Sequence, residues 1–245
     1  GTIASRVDYV TGGVSSFFKP EDLVEMFPEL KEIVNIDSKL IQNMWSDDLR
    51  FKHFEILAKA IESEIKKGVK GIIIGMGTDN LTVASAALSF IIENPPFPIL
   101  LVGAQRSSDR GSTDAALNLI SAAKFILKSN FQGVAVCMHG SSSDNLCLIL
   151  PATKTKKLHT SRRNAFKPVN DTAIAKVTEH GEIIFFKHLE KSNGKLTIKP
   201  KMEEKVGLIK ITINMNPKQF EFFKGYKGLI IEGTGLGHTP GDVVD

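Results

Sequence analysis

One stretch leaves this chain few folds to choose from. Val69-Lys70-Gly71-Ile72-Ile73-Ile74 is short, apolar and β-branched, as a strand covered on both faces must be. It runs straight into Gly75-Met76-Gly77-Thr78-Asp79-Asn80, and an apolar helical stretch over residues 81–92 follows. Thr78, Asp79 and Asn80 are all helix N-cap types, so the hexapeptide suits a plain cap and a functional turn equally well. A strand feeding a tight polar turn and then a helix sets a hydroxyl and a carboxylate at the carboxyl end of a sheet. Open α/β folds keep their chemistry there.

The same logic recurs along the chain. Residues 1–16 are small and polar and are expected to form a mobile loop with a turn at Gly12-Gly13. A helix over 23–27 and a short strand over 33–36 follow. The second polar turn is Asn43-Met44-Trp45-Ser46-Asp47-Asp48, before a helix over 51–67 with Phe54, Leu57, Ala58, Ile61 and Ile65 on one face. Asn94-Pro95-Pro96 breaks the chain ahead of a buried strand over 98–103 and the polar loop Arg106-Ser107-Ser108-Asp109-Arg110-Gly111-Ser112. A helix over 114–128 then leads to a strand over 133–138. This alternation predicts right-handed βαβ crossovers and a doubly wound, mostly parallel α/β sheet.

Beyond it lie the loop Ser141-Ser142-Ser143, an apolar run over 146–150, and the basic segment 154–163, expected as a charged surface or an RNA-facing strip. Residues 1–170 form one α/β domain in this reading, 171–205 a linker with some β-hairpin, and 206–245 the beginning of a second α/β domain. The opening Gly1-Thr2-Ile3-Ala4-Ser5 reads as a turn whose strand is missing, so the chain is expected to be a piece of a longer protein.

The bulk numbers exclude several classes. Hydrophobic residues make up 42% of the 245 and charged ones 24%, an ordinary globular balance. The net charge of +4 does not by itself argue for nucleic acid, since no long Lys/Arg block with interleaved aromatics occurs. Cys137 and Cys147 build no disulfide framework, which points to a reducing cytosol. No membrane span or signal peptide is predicted. The six histidines are scattered with no HExxH or CxxC, no GxxxxGK[ST] occurs, and Gly233-Thr234-Gly235-Leu236-Gly237 misses the dinucleotide fingerprint.

What remains is chemistry at the strand ends: Thr2 with Ser5, Ser46-Asp47-Asp48, Thr78-Asp79, and the loop ending at Asp114. Threonines, carboxylates and a lysine in one crevice suit acyl transfer. A Thr hydroxyl is a weak nucleophile unless a base takes its proton, and glycine-rich turns supply N–H groups for an oxyanion. On the residues alone the chain is an α/β hydrolase or transferase.

Gly1-Thr2-Ile3-Ala4-Ser5 resembles the GGTIA motif of the L-asparaginase family, and Gly77-Thr78-Asp79 the core of its HGTDT motif. Val102-Gly103-Ala104-Gln105-Arg106 and Asp114-Ala115-Ala116-Leu117-Asn118-Leu119 resemble its VGAxR…D…NL segment. Within the family, the segments at 103–110, 159–163 and 232–238 are similar to the archaeal branch formed by the D subunits of glutamyl-tRNA(Gln) amidotransferases.

The resemblance implies a glutaminase acting through a threonine acyl-enzyme. Its ammonia would pass to the E subunit of the amidotransferase, which converts Glu-tRNA(Gln) to Gln-tRNA(Gln). No cofactor is implied in this chain, while ATP and Mg are expected in the partner. A cytoplasmic homodimer, its site completed by a neighbouring copy, is also implied.

Position by position, the resemblance makes Thr2 the nucleophile, Thr78 the second catalytic threonine and Asp79 its acidic neighbour. Lys157 becomes the catalytic lysine, nine residues before Phe166. It makes Ser46 and Asp47 the substrate-binding pair, and Tyr9 or Thr11 part of a mobile lid. Met76 stands where His is usual, Asn80 where Thr is usual, and Asp47 where Glu or Gln is usual. The alternatives are a free cytosolic L-asparaginase and a non-catalytic assembly subunit.

Overall fold

The computed structural model describes residues 1–189 and 193–241. It forms two compact units, one spanning Gly1–Pro200 and one beginning at Lys201. The first opens with a 3-10 turn, Thr2–Ala4, and a hairpin of β1 (Ser5–Val7) and β2 (Val14–Ser16). Two short helices follow, α1 (Pro20–Met26) and α2 (Glu29–Ile33). A 3-10 turn at Ser46–Asp48 then precedes α3 (Phe51–Lys66). The alternating part is β3 (Ile72–Gly75), α4 (Leu81–Ile91), β4 (Ile92–Glu93), β5 (Pro98–Val102), α5 (Ala115–Lys128) and β6 (Gly133–His139). The rest comprises β7 (Leu146–Pro151), β8 (Thr155–Lys157), β9 (Phe166–Pro168), β10 (Ala175–Thr178), β11 (Ile183–Phe185) and β12 (Thr197–Ile198).

Six strands make the main sheet, in the order β11-β10-β7-β6-β5-β3. It is mixed. The pairs β3–β5 and β5–β6 are parallel, and from β6 outward through β7, β10 and β11 every pairing is antiparallel. All five residues of β5 are buried, the continuous apolar run that a strand covered on both faces requires. On one face α5, α1 and α2 close over Leu100, Val102, Ala135 and Cys137, with Phe125 and Leu30 at the centre of that core.

The alternate residues Ile99, Leu101, Val136 and Met138 are as fully buried on the opposite face. Gly103 continues that face, and a Cβ on it would meet Leu81 of α4 at 3.0 Å. So α4 and α5 cover opposite sides of the sheet, as a doubly wound fold expects. Yet both crossovers step the same way, from β3 to β5 to β6. Two crossovers in one direction with helices on opposite faces have opposite hands, so one of them is left-handed. This corrects the right-handed expectation. Hydrophobic period shows that a strand is covered twice, but not which face each helix takes.

Other differences from the sequence reading are local. Residues 1–16 hold a paired hairpin instead of a bare loop. The strand expected at 33–36 is absent, because Pro28 opens α2 and Leu30 seats it in the core. Strands β10 and β11, expected within a linker over 171–205, are the outer strands of the main sheet, joined at Gly181 (φ +81°). Strand β8, at the start of the basic segment, pairs with β9, which follows it.

In the second unit β13 (Val206–Lys210) pairs in parallel with β14 (Gly228–Glu232), and a 3-10 helix at Pro217–Phe223 lies between them. Ile209, Ile211 and Met215 form its small core. This is the strand-helix-strand order expected for 206–245, whose last four residues lie outside the described ones. Among the described residues no helix is long and apolar enough to cross a membrane.

Candidate active site

Strand β3 delivers the polar turn. Gly75 pairs with Val102, and the Met76 N–H donates to the Val102 carbonyl at 3.0 Å, after which the chain leaves the sheet as Gly77-Thr78-Asp79-Asn80. Three glycines let other segments crowd onto it. A Cβ on Gly1 would lie 2.2 Å from the Gly77 Cα, one on Gly77 2.8 Å from the Ser46 Oγ, and one on Gly103 2.7 Å from the Thr78 Cγ2. Side chains do not tolerate such distances, so here glycine is the condition for close backbone approach. The segment carrying Thr2, the Ser46–Asp48 turn and the end of β5 all meet the Thr78 turn for that reason.

Lys157 reaches the same turn from β8. Its Nζ donates to the Thr78 Oγ1 at 2.8 Å and to the Asp79 Oδ1 at 2.7 Å, across 79 and 78 residues of sequence. The lysine side chain is 13% exposed and Asp79 64% exposed, so the pair straddles the boundary between interior and solvent. Thr78 is buried.

The simple cap reading of this turn fails. Asn80 is the N-cap residue of α4, yet its side chain makes no cap bond. Its Nδ2 instead donates to the Ser46 carbonyl at 3.0 Å and lies 3.5 Å from the Asp47 Oδ1. A residue that departs from the family motif thus ties the expected substrate-binding turn to the expected catalytic one.

The segment bearing Thr2 is held from behind. The Ser108 hydroxyl donates to the Ile3 carbonyl at 2.5 Å, and the Val7 N–H donates to the Asp109 Oδ2 at 3.0 Å. Burial works to raise the Asp109 pKa, and the Val7 N–H helps to outweigh it, holding the carboxyl below the usual carboxylate range. Thr2 sits in the 3-10 turn that these contacts fix.

Tyr9 and Thr11 are placed elsewhere. Tyr9 is 77% exposed at the β1–β2 tip, and Thr11 accepts the Gly13 N–H at 3.2 Å. Neither shares a described hydrogen bond with Thr78, Asp79 or Lys157.

A buried polar chain lies under the end of β5. Asn118 donates through Nδ2 to the Gly103 carbonyl at 3.0 Å, and its Oδ1 faces the His139 Nδ1 at 2.6 Å. The His139 Nε2 faces the Asp144 Oδ1 at 3.0 Å, and the Arg163 Nη1 donates to that same oxygen at 2.9 Å. Both ring nitrogens meet oxygen acceptors, which favours the charged ring. Burial opposes that charge, but the neighbouring Cys147 sulfur and Asp144 carboxylate outweigh it and raise the His139 pKa.

Sequence reasoning placed Thr78, Asp79, Ser46 and Asp47 at strand-end turns; the turns do converge, but the one at Ser46–Asp48 follows no strand. It separated Lys157 from its basic segment only through the family resemblance. It named Asn80 only as a departure from the motif and Ser108 and Asp109 only as members of a polar loop, without their roles, and it missed the Asn118–His139–Asp144 chain. For Ser108, Asp109 and Asn118 the one signal was membership of the motif segments; His139 and Asp144 carried none, and apart from the His139–Asp144 pair the contacts are long-range.

A protein-family model described as "Asparaginase, N-terminal" matches residues 1–191. The D subunit of glutamyl-tRNA(Gln) amidotransferase from Pyrococcus furiosus is 46% identical over 248 residues, covering 100% of this chain and 56% of that protein. The corresponding D subunit from Methanococcus maripaludis is 46% identical over 247 residues, covering 98% of this chain and 59% of the relative. The chain therefore spans little more than half the length of these relatives. Among solved structures, the thermostable L-asparaginase from Thermococcus kodakarensis superposes with a TM-score of 0.83 at 27% identity, over 98% of this chain and 70% of that one.

Proposed function

The chain belongs to the asparaginase family, and on that premise we propose that it is the amide-hydrolysing component of a tRNA-dependent amidotransferase, with glutamine as substrate. The observation that carries this reading is the contact of Lys157 with Thr78 and Asp79, beside the backbone of Gly1 and Gly77. A hydroxyl and a carboxylate from the turn after β3 and an amine from β8 form a proton relay, and the segment bearing Thr2 passes next to it.

In this reading the Thr2 Oγ attacks the carbonyl carbon of the glutamine side-chain amide. Its proton passes by way of Thr78 and the Lys157 Nζ to the departing nitrogen, which leaves as ammonia. Asp79 stabilises the positive charge that arrives on Nζ. Backbone N–H groups of the glycine-rich turn face the oxyanion. Water then cleaves the Thr2 ester to release glutamate, and the relay runs in reverse. Ser46 and Asp47, tethered by Asn80, hold the substrate, Asp47 being suited to an α-ammonium group.

Ammonia would pass to the E subunit of the amidotransferase as partner, where ATP and Mg activate Glu-tRNA(Gln). The relatives at 46% identity carry the name of that amidotransferase's D subunit, which supports a place in such a complex. A cytoplasmic setting and a homodimer belong to the same proposal. The second reading, a free L-asparaginase, is favoured by the superposition on the Thermococcus enzyme. Ammonia release from glutamine and from asparagine by the full-length protein, with and without its partner, separates the two. Preference for glutamine with stimulation by the partner supports the first. Efficient, partner-independent use of asparagine supports the second, and no hydrolysis of either would leave an assembly subunit without catalysis.

A further inference from the structure

The segment after β8, expected as a charged surface or an RNA-facing strip, is held against the loop after β5 by two side chains: Arg163, whose Nη2 donates to the Ser112 carbonyl at 2.5 Å, and Gln105. The Gln105 Nε2 points at three carbonyls of the same turn: Arg162 at 3.0 Å, Thr160 at 3.3 Å and His159 at 3.4 Å. Two N–H groups serve three acceptors, so at least one bond is shared. The turn is curled to present those carbonyls, because the His159 Nδ1 accepts the N–H groups of both Ser161 and Arg162 at 3.1 Å.

Gln105 itself stands on a fixed base. Its own N–H meets both oxygens of the fully buried Asp114, at 2.9 and 3.0 Å. The start of β8 is anchored separately. The Ser85 hydroxyl of α4 donates to the Ala152 carbonyl at 3.0 Å, and the Thr155 hydroxyl to the Pro151 carbonyl at 2.7 Å. Lys157 thus lies between an anchor on α4 and an anchor at Gln105. Its partner Thr78 rests on Gly103, two residues before Gln105. Both members of the Lys157–Thr78 contact are therefore referenced to the end of one strand, β5.

We propose that Gln105 is a positioning residue that sets the Lys157 Nζ against the Thr78 hydroxyl by clasping the turn at 159–162. The inference rests on the amide-hydrolysis reading and goes beyond it, since Gln105 needs no contact with substrate. A relay depends on placement to within about an ångström, and losing that placement costs up to about 100-fold in rate.

The test is Gln105→Met in the full-length protein, which keeps the length of the side chain and removes its donors. The expected result is a fall in kcat for glutamine of between about 10- and 100-fold, with KM within about twofold of the parent and an unchanged melting temperature. Gln105→Glu, which turns an acceptor toward three carbonyls, is expected to fall at least as far. Gln105→Asn keeps the amide one methylene short and should retain more activity than either. A Gln105→Met protein with parental kcat, or one whose loss is all in KM, overturns the inference. So does a loss of activity that tracks a lowered melting temperature. An inactive parent protein overturns the amide-hydrolysis reading itself, whereas an active parent with an indifferent Gln105 overturns only this proposal.

Discussion

At the scale of residues, the candidate site depends on side chains that are absent. Gly1, Gly77 and Gly103 each occupy a point where a Cβ would strike a neighbour at under 3.0 Å. Gly103→Ala is the most informative change, because its Cβ would push on the Thr78 methyl at 2.7 Å and so on the hydroxyl that Lys157 holds. We expect a loss in kcat of at least about tenfold with the fold retained, read from ammonia release beside a far-ultraviolet spectrum. Asn80→Thr removes the donor to the Ser46 carbonyl. Loss of one such bond, about 1 kcal/mol, predicts a rise in KM of about fivefold with little change in kcat.

Residue types at the strand ends were legible in the sequence. Their partners were not: Thr78 and Asp79 look like caps until Lys157 is seen 79 residues away. No local pattern encodes that distance.

At the scale of elements, the strand-turn-helix unit around Thr78 was readable because burial on both faces leaves a continuous β-branched run, and the polar turn that follows is sharp. The short hairpins were harder. Strands β8 and β9 carry lysines, and β8 buries none of its three residues, so no alternation announces it. Its position is set by contacts to other elements, among them the Arg163 bonds to the Ser112 carbonyl at 2.5 Å and to Asp144.

The link through Asp144 and His139 carries a pH signature. The His139 pKa is raised, so its contribution to stability is full below the unfolded value of about 6.5 and is lost as pH climbs through the folded value. For Asp144, burial would raise the pKa, but His139 and Arg163 outweigh it and lower it. Its contribution is therefore present above about 3.9 and is lost as pH falls through the folded value. The melting temperature should be highest between those limits, and Asp144→Asn should flatten the acid flank and lessen the basic one, where Cys147 also raises the His139 pKa. An unchanged pH profile in that variant would show that the chain from Arg163 to Asn118 contributes nothing through charge.

At the scale of the whole molecule, the parallel half of the sheet followed from the alternation of apolar runs and helices. The antiparallel half and the opposed crossovers did not, since neither strand direction nor helix face is written in hydrophobic period. The first unit is organised around a core in which Phe125 is fully buried against Phe131 and Phe185. Phe125→Ala is expected to cost about 3–5 kcal/mol of unfolding free energy in a denaturant titration, through lost burial and the cavity left behind.

That core holds β3, β5 and β6 in register, and register sets the turn at Thr78 beside the end of β5, where Lys157 reaches it from β8. The measurement that bears most directly on this account is single-turnover ammonia release from glutamine by the full-length protein, comparing the parent with Thr2→Ala, Thr78→Val and Lys157→Met. The account predicts that each substitution lowers the rate by at least about 1000-fold while the protein stays folded. A Lys157→Met protein that releases ammonia at the parental rate would contradict it.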